Sequence, residues 1–159
     1  MQLSIKEKYF SWADKFFVKD AMGEDKYTVE GEFLSFGKKL HVYDRWGKEV
    51  AFIKQELLTF MPRFTVYVDG IEIAQVRKEF TLFRPRFVID GLGWEIEGSF
   101  WEHEFQITQG GRTIVTISKE WMTWGDSYQL DIDKPADEIL ALAVVLTIDC
   151  VQEAQQSAN

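Results

Sequence analysis

One short phrase returns six times along this chain: an aromatic residue at a bend, a basic residue a few positions on, then alternating apolar residues running into a turn. The segment 10–18, Phe-Ser-Trp-Ala-Asp-Lys-Phe-Phe-Val, is echoed 24 residues later at 34–42 and another 24 on at 58–66. A fourth copy starts 23 residues beyond that, at Thr81-Leu82-Phe83-Arg84-Pro85-Arg86. Weaker copies follow at Phe100-Trp101 through Ile107 and at Thr123-Trp124 through Leu130. A period of this length marks stacked or closed supersecondary units, each long enough for two strands and two turns.

Between the aromatic bends lie Asp/Gly clusters: Asp20-Ala21-Met22-Gly23, Asp44-Arg45-Trp46-Gly47, Asp69-Gly70, Asp90-Gly91-Leu92-Gly93 and Gln109-Gly110-Gly111. Asp bonds its own backbone in turns and Gly takes positive φ, so these are hairpin connections. The intervening segments alternate apolar and polar residues and are rich in Val, Ile, Phe and Tyr. Counting both halves of each unit gives about twelve antiparallel strands. Consecutive strands on short connections favour an up-and-down sheet that closes into a barrel and so removes its edges.

A barrel that wide cannot be filled by its own side chains. The filler is visible in the stretch 137–151, where every residue from Ile139 to Leu146 is apolar. Pro135 suits a helix start, and Asp137 and Glu138 sit where the helix dipole favours acids. A helix with no polar face is buried all round. The run is too short for a membrane span, which needs about 20 apolar residues. Fifteen helical residues reach roughly 22 Å, close to the length of a six- or seven-residue strand. The expected fold is therefore mainly β: a closed antiparallel barrel of about twelve strands threaded by a buried apolar C-terminal helix. One domain covers 1–159, divided into barrel 1–133, central helix 135–152 and a frayed tail 153–159.

Charge is skewed to −8 over 159 residues, which argues against binding nucleic acid through the whole surface. The single cysteine, Cys150, excludes an internal disulfide and suits a reducing, cytoplasmic setting, with peripheral membrane association as a further expectation. The N-terminal residues carry no apolar signal region. No transmembrane segment is expected.

Phe10-Ser11-Trp12, Val29-Glu30-Gly31, Phe33-Leu34-Ser35-Phe36, Val42-Tyr43-Asp44, Ser118-Lys119-Glu120-Trp121 and the closing apolar helix together resemble the LURP-one-related family, part of the tubby C-terminal-like superfamily. The resemblance covers nearly the whole chain. It implies a twelve-stranded barrel around a C-terminal helix, in agreement with the pattern above. Tubby domains bind phosphoinositide headgroups, phospholipid scramblases of similar fold associate with membrane lipids, and the plant members are linked to defence. No tubby headgroup motif matches here, so no lipid-binding residue transfers by position, and fold alone does not assign function.

Strand connections in a meander alternate ends, so the aromatic-basic bends should gather on one rim and the Asp/Gly hairpins on the other. The first rim would carry Lys15, Lys38, Lys39, Arg63, Arg84 and Arg86 beside Trp12, Phe36, Phe60, Phe83 and Trp124. Segment 54–87 holds six basic residues against four acids, a local +2 on a remainder of −10. From these the candidate ligand-binding set is Lys38, Lys39, Arg63, Arg84, Arg86, Trp12, Phe60 and Phe83, with cations for phosphate and aromatics for the interface. The competing structural reading has the aromatics cap the barrel mouth and the cations solubilise it.

Other residue sets carry less. On a strand, Glu102 and Glu104 face away from Trp101, His103 and Phe105. His41 has no acid beside it in sequence, and two histidines with one cysteine do not make a zinc site. No metal, cofactor or catalytic residue is expected. Cys150 belongs to a buried helix, and Asp149 beside it needs a partner, for which a rim arginine such as Arg63 or Arg86 is the expectation. Gly91-Leu92-Gly93 precedes a strand pattern and is no phosphate loop. The glycines of Val29-Glu30-Gly31 and Ile96-Glu97-Gly98 are read as bulges or as room for the helix. Function is read as a non-enzymatic binding module for anionic phospholipid headgroups or a protein partner. The alternatives are a regulatory interaction domain without a small ligand and, last, an enzyme with a pocket at a barrel mouth. On strict up-and-down order the helix should enter at the hairpin rim, and Cys150 should emerge near Phe36 and Phe60.

Overall fold

The computed structural model describes residues 1–6, 15–32, 36–79, 82, 86–99, 104–122 and 125–158. Within them the chain forms twelve strands: β1 Gln2–Lys6, β2 Lys15–Asp20, β3 Asp25–Gly31, β4 Lys39–Asp44, β5 Glu49–Gln55, β6 Arg63–Val68, β7 Ile71–Glu79, β8 Arg86–Asp90, β9 Trp94–Ser99, β10 Glu104–Gln109, β11 Arg112–Met122 and β12 Gly125–Ile132. A 3-10 turn at Pro135–Asp137 leads into one helix, α1, Glu138–Ala158.

Every hydrogen-bonded strand pair is antiparallel. Sheet order runs from β8 down to β1, across to β12, and down again to β9. Sequence neighbours pair everywhere except between β8 and β9, and β1 pairs with β12 from Gln2↔Asp131 to Lys6↔Ser127. The barrel is thus nearly closed, with β8 and β9 as its two edges. The ladder stops at this one sequence-adjacent pair, joined by Gly91-Leu92-Gly93, and not where the chain ends meet.

Alternation decides what lies inside. Val29, Val42, Ile53, Phe64, Val66, Val76, Ile107, Ile117 and Leu130 all point inward and are buried. They surround Ala141 to Leu146, Ile148, Cys150 and Val151 of α1, also buried, in one continuous core. The helix leans most on β5, β6 and β7. Thr147 satisfies its buried hydroxyl by donating to the Ala143 carbonyl at 2.6 Å, the usual escape for a hydroxyl inside a helix.

Three details depart from the sequence expectation. The helix continues to Ala158, through much of the stretch expected to fray from 153. Asp149 accepts its hydrogen bond from the Tyr128 hydroxyl at 2.7 Å, not from Arg63 or Arg86. A phenol on the neighbouring β12 satisfies the half-buried carboxylate without a second charge entering the barrel. Gly98, at φ +108, makes room for β10 and not for the helix: a Cβ there would stand 3.0 Å from the Glu104 carbonyl oxygen.

Both ends of α1 are fastened, and they fix its direction. Glu138 is buried, accepts from the Tyr27 hydroxyl and pairs with Lys26 at 2.8 Å. Both partners come from the first turns of β3, just after the Asp20–Gly23 hairpin. At the far end Lys38 pairs with Glu153 at 2.8 Å, beside Phe36 and ahead of β4. The helix therefore enters at the hairpin rim and leaves at the aromatic rim, as the alternation of connections required.

Candidate functional site

The described part of the aromatic rim consists of two bends and one further residue: 36–38 before β4, 56–62 between β5 and β6, and Leu82 between β7 and β8. These connections must turn the chain outside the hydrogen-bonded barrel, where neither face of a strand is covered. The β5–β6 bend, Glu56-Leu57-Leu58-Thr59-Phe60-Met61-Pro62, holds its apolar side chains outward. Leu58, Phe60 and Phe36 are each at least nine-tenths exposed, and Leu57 and Leu82 are exposed beside them. Leu58 sits at φ +61. An L-residue with a branched side chain pays roughly 1 kcal/mol or more for the left-handed region, so Leu58 is presented to solvent at a backbone cost. Gly37, at φ +75, lets the Phe36 bend approach the Leu57 bend. A Cβ there would lie 2.8 Å from Leu57 Cδ2, and so the two apolar tips lie side by side.

Cations gather just below these tips. Antiparallel register places Lys39 opposite Lys54 across β4 and β5, and Arg63 opposite Arg77 across β6 and β7. Like charges directly opposite one another destabilise a sheet, and here two such pairs occur on adjoining strands at one rim. Lys39 is relieved by Glu32 at 3.3 Å, and Arg77 by Asp90 at 3.0 Å. Arg63 and Lys54 have no counter-ion among the described residues. Arg86 is exposed and stands 3.9 Å from Glu79. In the stretches 36–39, 54–63 and 77–79 together with Arg86 there are seven cations and two acids.

A cleft of about 260 Å³ opens beneath Phe60, lined by Thr59, Met61, Arg63, Arg77, Lys78 and Glu79. Lys78 is half-buried, and that burial alone holds its pKa below the ordinary lysine value.

Of the sequence-predicted set, Phe60 and Arg63 come together at this cleft, Arg86 lies on the neighbouring strand, and Lys39 lies on the same outer face. Lys38 does not join them. Its side chain turns into the barrel mouth, where burial pulls its pKa down against the opposing pull of Glu153. Burial likewise raises the Glu153 carboxyl above its ordinary value despite Lys38. This pair fastens the helix. Trp12, Phe83 and Arg84 fall outside the described residues, as do Trp124 and Trp101 to His103. Lys15 pairs with Glu30 at 3.2 Å on the outer face of β2 and β3.

Sequence reasoning missed three features. Leu57 and Leu58 were passed over because the repeat draws attention to its aromatics, although an exposed apolar pair in a bend before Pro62 was readable. Lys78 was not singled out. His41 was judged to have no acid near it, yet pairing across β4 brings two. Its Nε2 lies 2.8 Å from Glu32, nine residues away, and its Nδ1 2.6 Å from Glu49, eight residues away. The ring also stacks on Phe52 at 4.8 Å. Ionised carboxylates only accept, so the two contacts together favour the ring that carries a proton on each nitrogen. Burial lowers its pKa, but Glu49 and Glu32 outweigh that and leave it above 6.5.

A larger groove, about 480 Å³, runs over the outer face of β2 to β4 between Lys15, Phe17, Tyr43 and Arg45. Its lysines are already neutralised, Lys15 by Glu30 and Lys26 by Glu138. Among the described residues no group of three or more His, Cys, Asp and Glu is arranged to hold a metal ion. No helix among them is long and apolar enough to cross a membrane.

Comparison with known proteins places this geometry in context. The sequence profile of the LURP-one-related family matches residues 1–149. A Bacillus subtilis (strain 168) protein named as the uncharacterised protein YxjI is 38% identical over 151 residues, covering 95% of this chain and 93% of its own length. An Arabidopsis thaliana protein solved by X-ray crystallography superposes with a TM-score of 0.60 at 14% identity, over 92% of this chain and 88% of that one. At that identity the likeness concerns the fold alone.

Proposed function

The chain belongs to the LURP-one-related family, and we propose that it acts as a single-domain, non-enzymatic module that docks on anionic phospholipid surfaces through its aromatic-basic rim. One observation carries the reading: Leu58, held outward at positive φ, stands with Phe60 and Phe36 directly above the cations Lys39, Lys54, Arg63, Arg77 and Arg86. Apolar tips enter the headgroup–acyl boundary while the cations below them meet phosphates, each contributing about 1 kcal/mol near a charged leaflet. The unrelieved charge on Arg63 and Lys54, costly in the free protein, is neutralised on such a surface. The net −8 of the whole chain does the orienting, because only this rim is attracted and the acidic body is repelled.

Co-sedimentation with vesicles of phosphatidylcholine and phosphatidylserine tests the reading. Binding is expected to rise with phosphatidylserine content and fall with added salt. Arg63→Glu and Arg86→Glu should each weaken it by several-fold, and Leu58→Ser with Phe60→Ser should abolish it. Absence of binding to any anionic vesicle by the unaltered protein overturns it.

A further inference from the structure

The two rims carry opposite charge, and both expose apolar side chains. We propose that the aromatic-basic rim of one molecule docks on the acidic hairpin rim of a second copy, so that barrels associate head to tail. The inference uses the same basic rim as the membrane reading but does not depend on it.

Turn chemistry shows that the hairpin rim does more than close its hairpins. Gly23 and Gly47 take φ +80 and +81, each three residues after a capping Asp, so Asp20–Gly23 and Asp44–Gly47 are two copies of one turn. Asp and Gly are what such a turn requires. Met22 and Trp46 stand at the equivalent position in the two copies and lend the closure only their amides. Their side chains are more than four-fifths exposed, and Ile71 on the next hairpin is exposed as well. Carboxylates surround these tips, so a cationic surface is attracted to them. Among the described residues Glu24 and Glu72 form no ion pair, whereas Lys19, Lys26 and Lys48 are each held by an acid.

The opposite end of the same molecule offers the matching surface. There Lys54 and Arg63 have no counter-ion among the described residues, and Phe36, Leu58 and Phe60 are exposed beside them. Stretches 19–26, 44–49 and 69–72 hold seven acids and four cations, a net −3. Stretches 36–39, 54–63 and 77–79 with Arg86 hold seven cations and two acids, a net +5. The dipole of α1 runs against this polarity, because the helix starts at the hairpin rim, but it amounts to about half a charge at each end. Side-chain charge therefore sets the polarity. Contact between like rims would oppose charges of one sign, which costs several kcal/mol at an interface. Head-to-tail contact joins unlike rims and covers apolar tips on both. Each stacked row keeps one free rim at either end, so the contact is heterologous and open.

Sedimentation velocity tests the inference. At about 0.01 M salt, where the Debye length is roughly 30 Å, the average mass of the unaltered protein should rise with its concentration. At about 0.15 M, where that length is roughly 8 Å, association should weaken by about tenfold. Two charge-reversed proteins give the sharper arm. Lys54→Glu with Arg63→Glu and Arg86→Glu makes the basic rim acidic, and Glu24→Lys with Glu72→Lys makes the acidic rim basic. Each alone should sediment as a folded monomer, because both its rims then carry one sign. Mixed in equal amounts, the two should associate again. Association of either variant alone, or none in the mixture of folded proteins, overturns the head-to-tail contact. So does an unaltered protein that stays monomeric at low salt, and vesicle binding by that monomer would leave membrane docking standing. Self-association without vesicle binding keeps this contact and removes docking. Trp46→Ser should weaken self-association several-fold; if it associates like the unaltered protein, the hairpin tips are not the docking surface.

Discussion

The two rims of the barrel are built from the same repeat and differ in what the turns spend their side chains on. At the hairpin rim they spend them on the turn. Asp20 Oδ1 accepts from the Met22 and Glu24 amides at 2.9 and 3.0 Å, and Asp44 Oδ1 accepts from the Trp46 and Lys48 amides, both at 2.9 Å. Acids predominate there, seven against four cations in the stretches 19–26, 44–49 and 69–72. Met22, Trp46 and Ile71 are exposed at that rim too, so apolar exposure alone does not distinguish the two ends. Charge does, because exposed apolar residues surrounded by carboxylates are repelled by an anionic leaflet. At the other rim, no comparable Asp cap appears in the described bends, cations oppose one another across strands, and Leu58 carries backbone strain. One rim closes its turns among carboxylates, and the other is arranged for contact with such a leaflet.

Both rims depend on the helix that joins them, so the largest expected effect is shared. Leu142 is fully buried, and Leu142→Asp places an unpaired charge in the core at a cost of several kcal/mol, against about 5–15 kcal/mol for a whole domain. Urea unfolding should show a molecule with little or no folded baseline. A folded Leu142→Asp protein would mean that α1 is dispensable and that the rims do not depend on it. Next in size, Glu138→Ala removes the acceptor for the Tyr27 hydroxyl and the partner of Lys26 at the hairpin rim. Stability should fall by about 2 kcal/mol, while vesicle binding by the folded protein stays unchanged. A drop in binding at constant folded fraction would break the division of labour between the rims.

The difference between the rims was only half legible in the sequence. The period, the Asp/Gly turns and the unbroken apolar run of α1 announced barrel and plug, because each rests on local signals: alternation, turn chemistry and a helix without a polar face. The direction of the helix followed from counting connections. The break between β8 and β9 had no such signal, since a short Gly-rich link there reads like the others. Lys38 was misplaced because proximity in sequence to Phe36 says nothing about whether a side chain points into the barrel mouth. Cross-strand register, which pairs Arg63 with Arg77 and brings Glu32 and Glu49 to His41, depends on bulges such as those between Val42 and Tyr43 and between Val66 and Tyr67. Such one-residue shifts are set by tertiary packing and not by the pattern along the chain.

Strain at Leu58 allows a sharper test, in which stability and function should move in opposite directions. Glycine has no Cβ to clash at φ +61, so Leu58→Gly should stabilise the fold by about 0.5–1 kcal/mol after its own entropic cost. Leu58 is fully exposed, so no packing is lost. The same substitution deletes an apolar tip and should weaken vesicle binding several-fold. A thermal melt and a sedimentation assay on one variant check both. If stability and binding fell together, Leu58 would be a packing residue and the contact rim would lose its apolar anchor.

The smallest expected effect concerns the strip between the rims, where His41 joins the end of β3 to β4 and β5 through Glu32 and Glu49. Its pKa in the folded protein lies above 6.5 because the two carboxylates together outweigh burial. The folded state therefore holds the proton more tightly than the unfolded one, so the stabilisation is fully present below about pH 6.5 and is lost as pH rises through the raised folded value. The pairs are partly solvated, which limits the contribution to about 1 kcal/mol or less. Unfolding free energy of the unaltered protein should decline above neutral pH relative to His41→Gln, with the two curves converging at alkaline pH. Glu32 also serves Lys39 on the contact rim, so loss of the imidazolium leaves that carboxylate less neutralised beside the cations. Vesicle binding should then weaken modestly over the same pH interval in the unaltered protein and not in His41→Gln. A pH-independent difference between the two proteins would show that the histidine acts through its stacking on Phe52 alone.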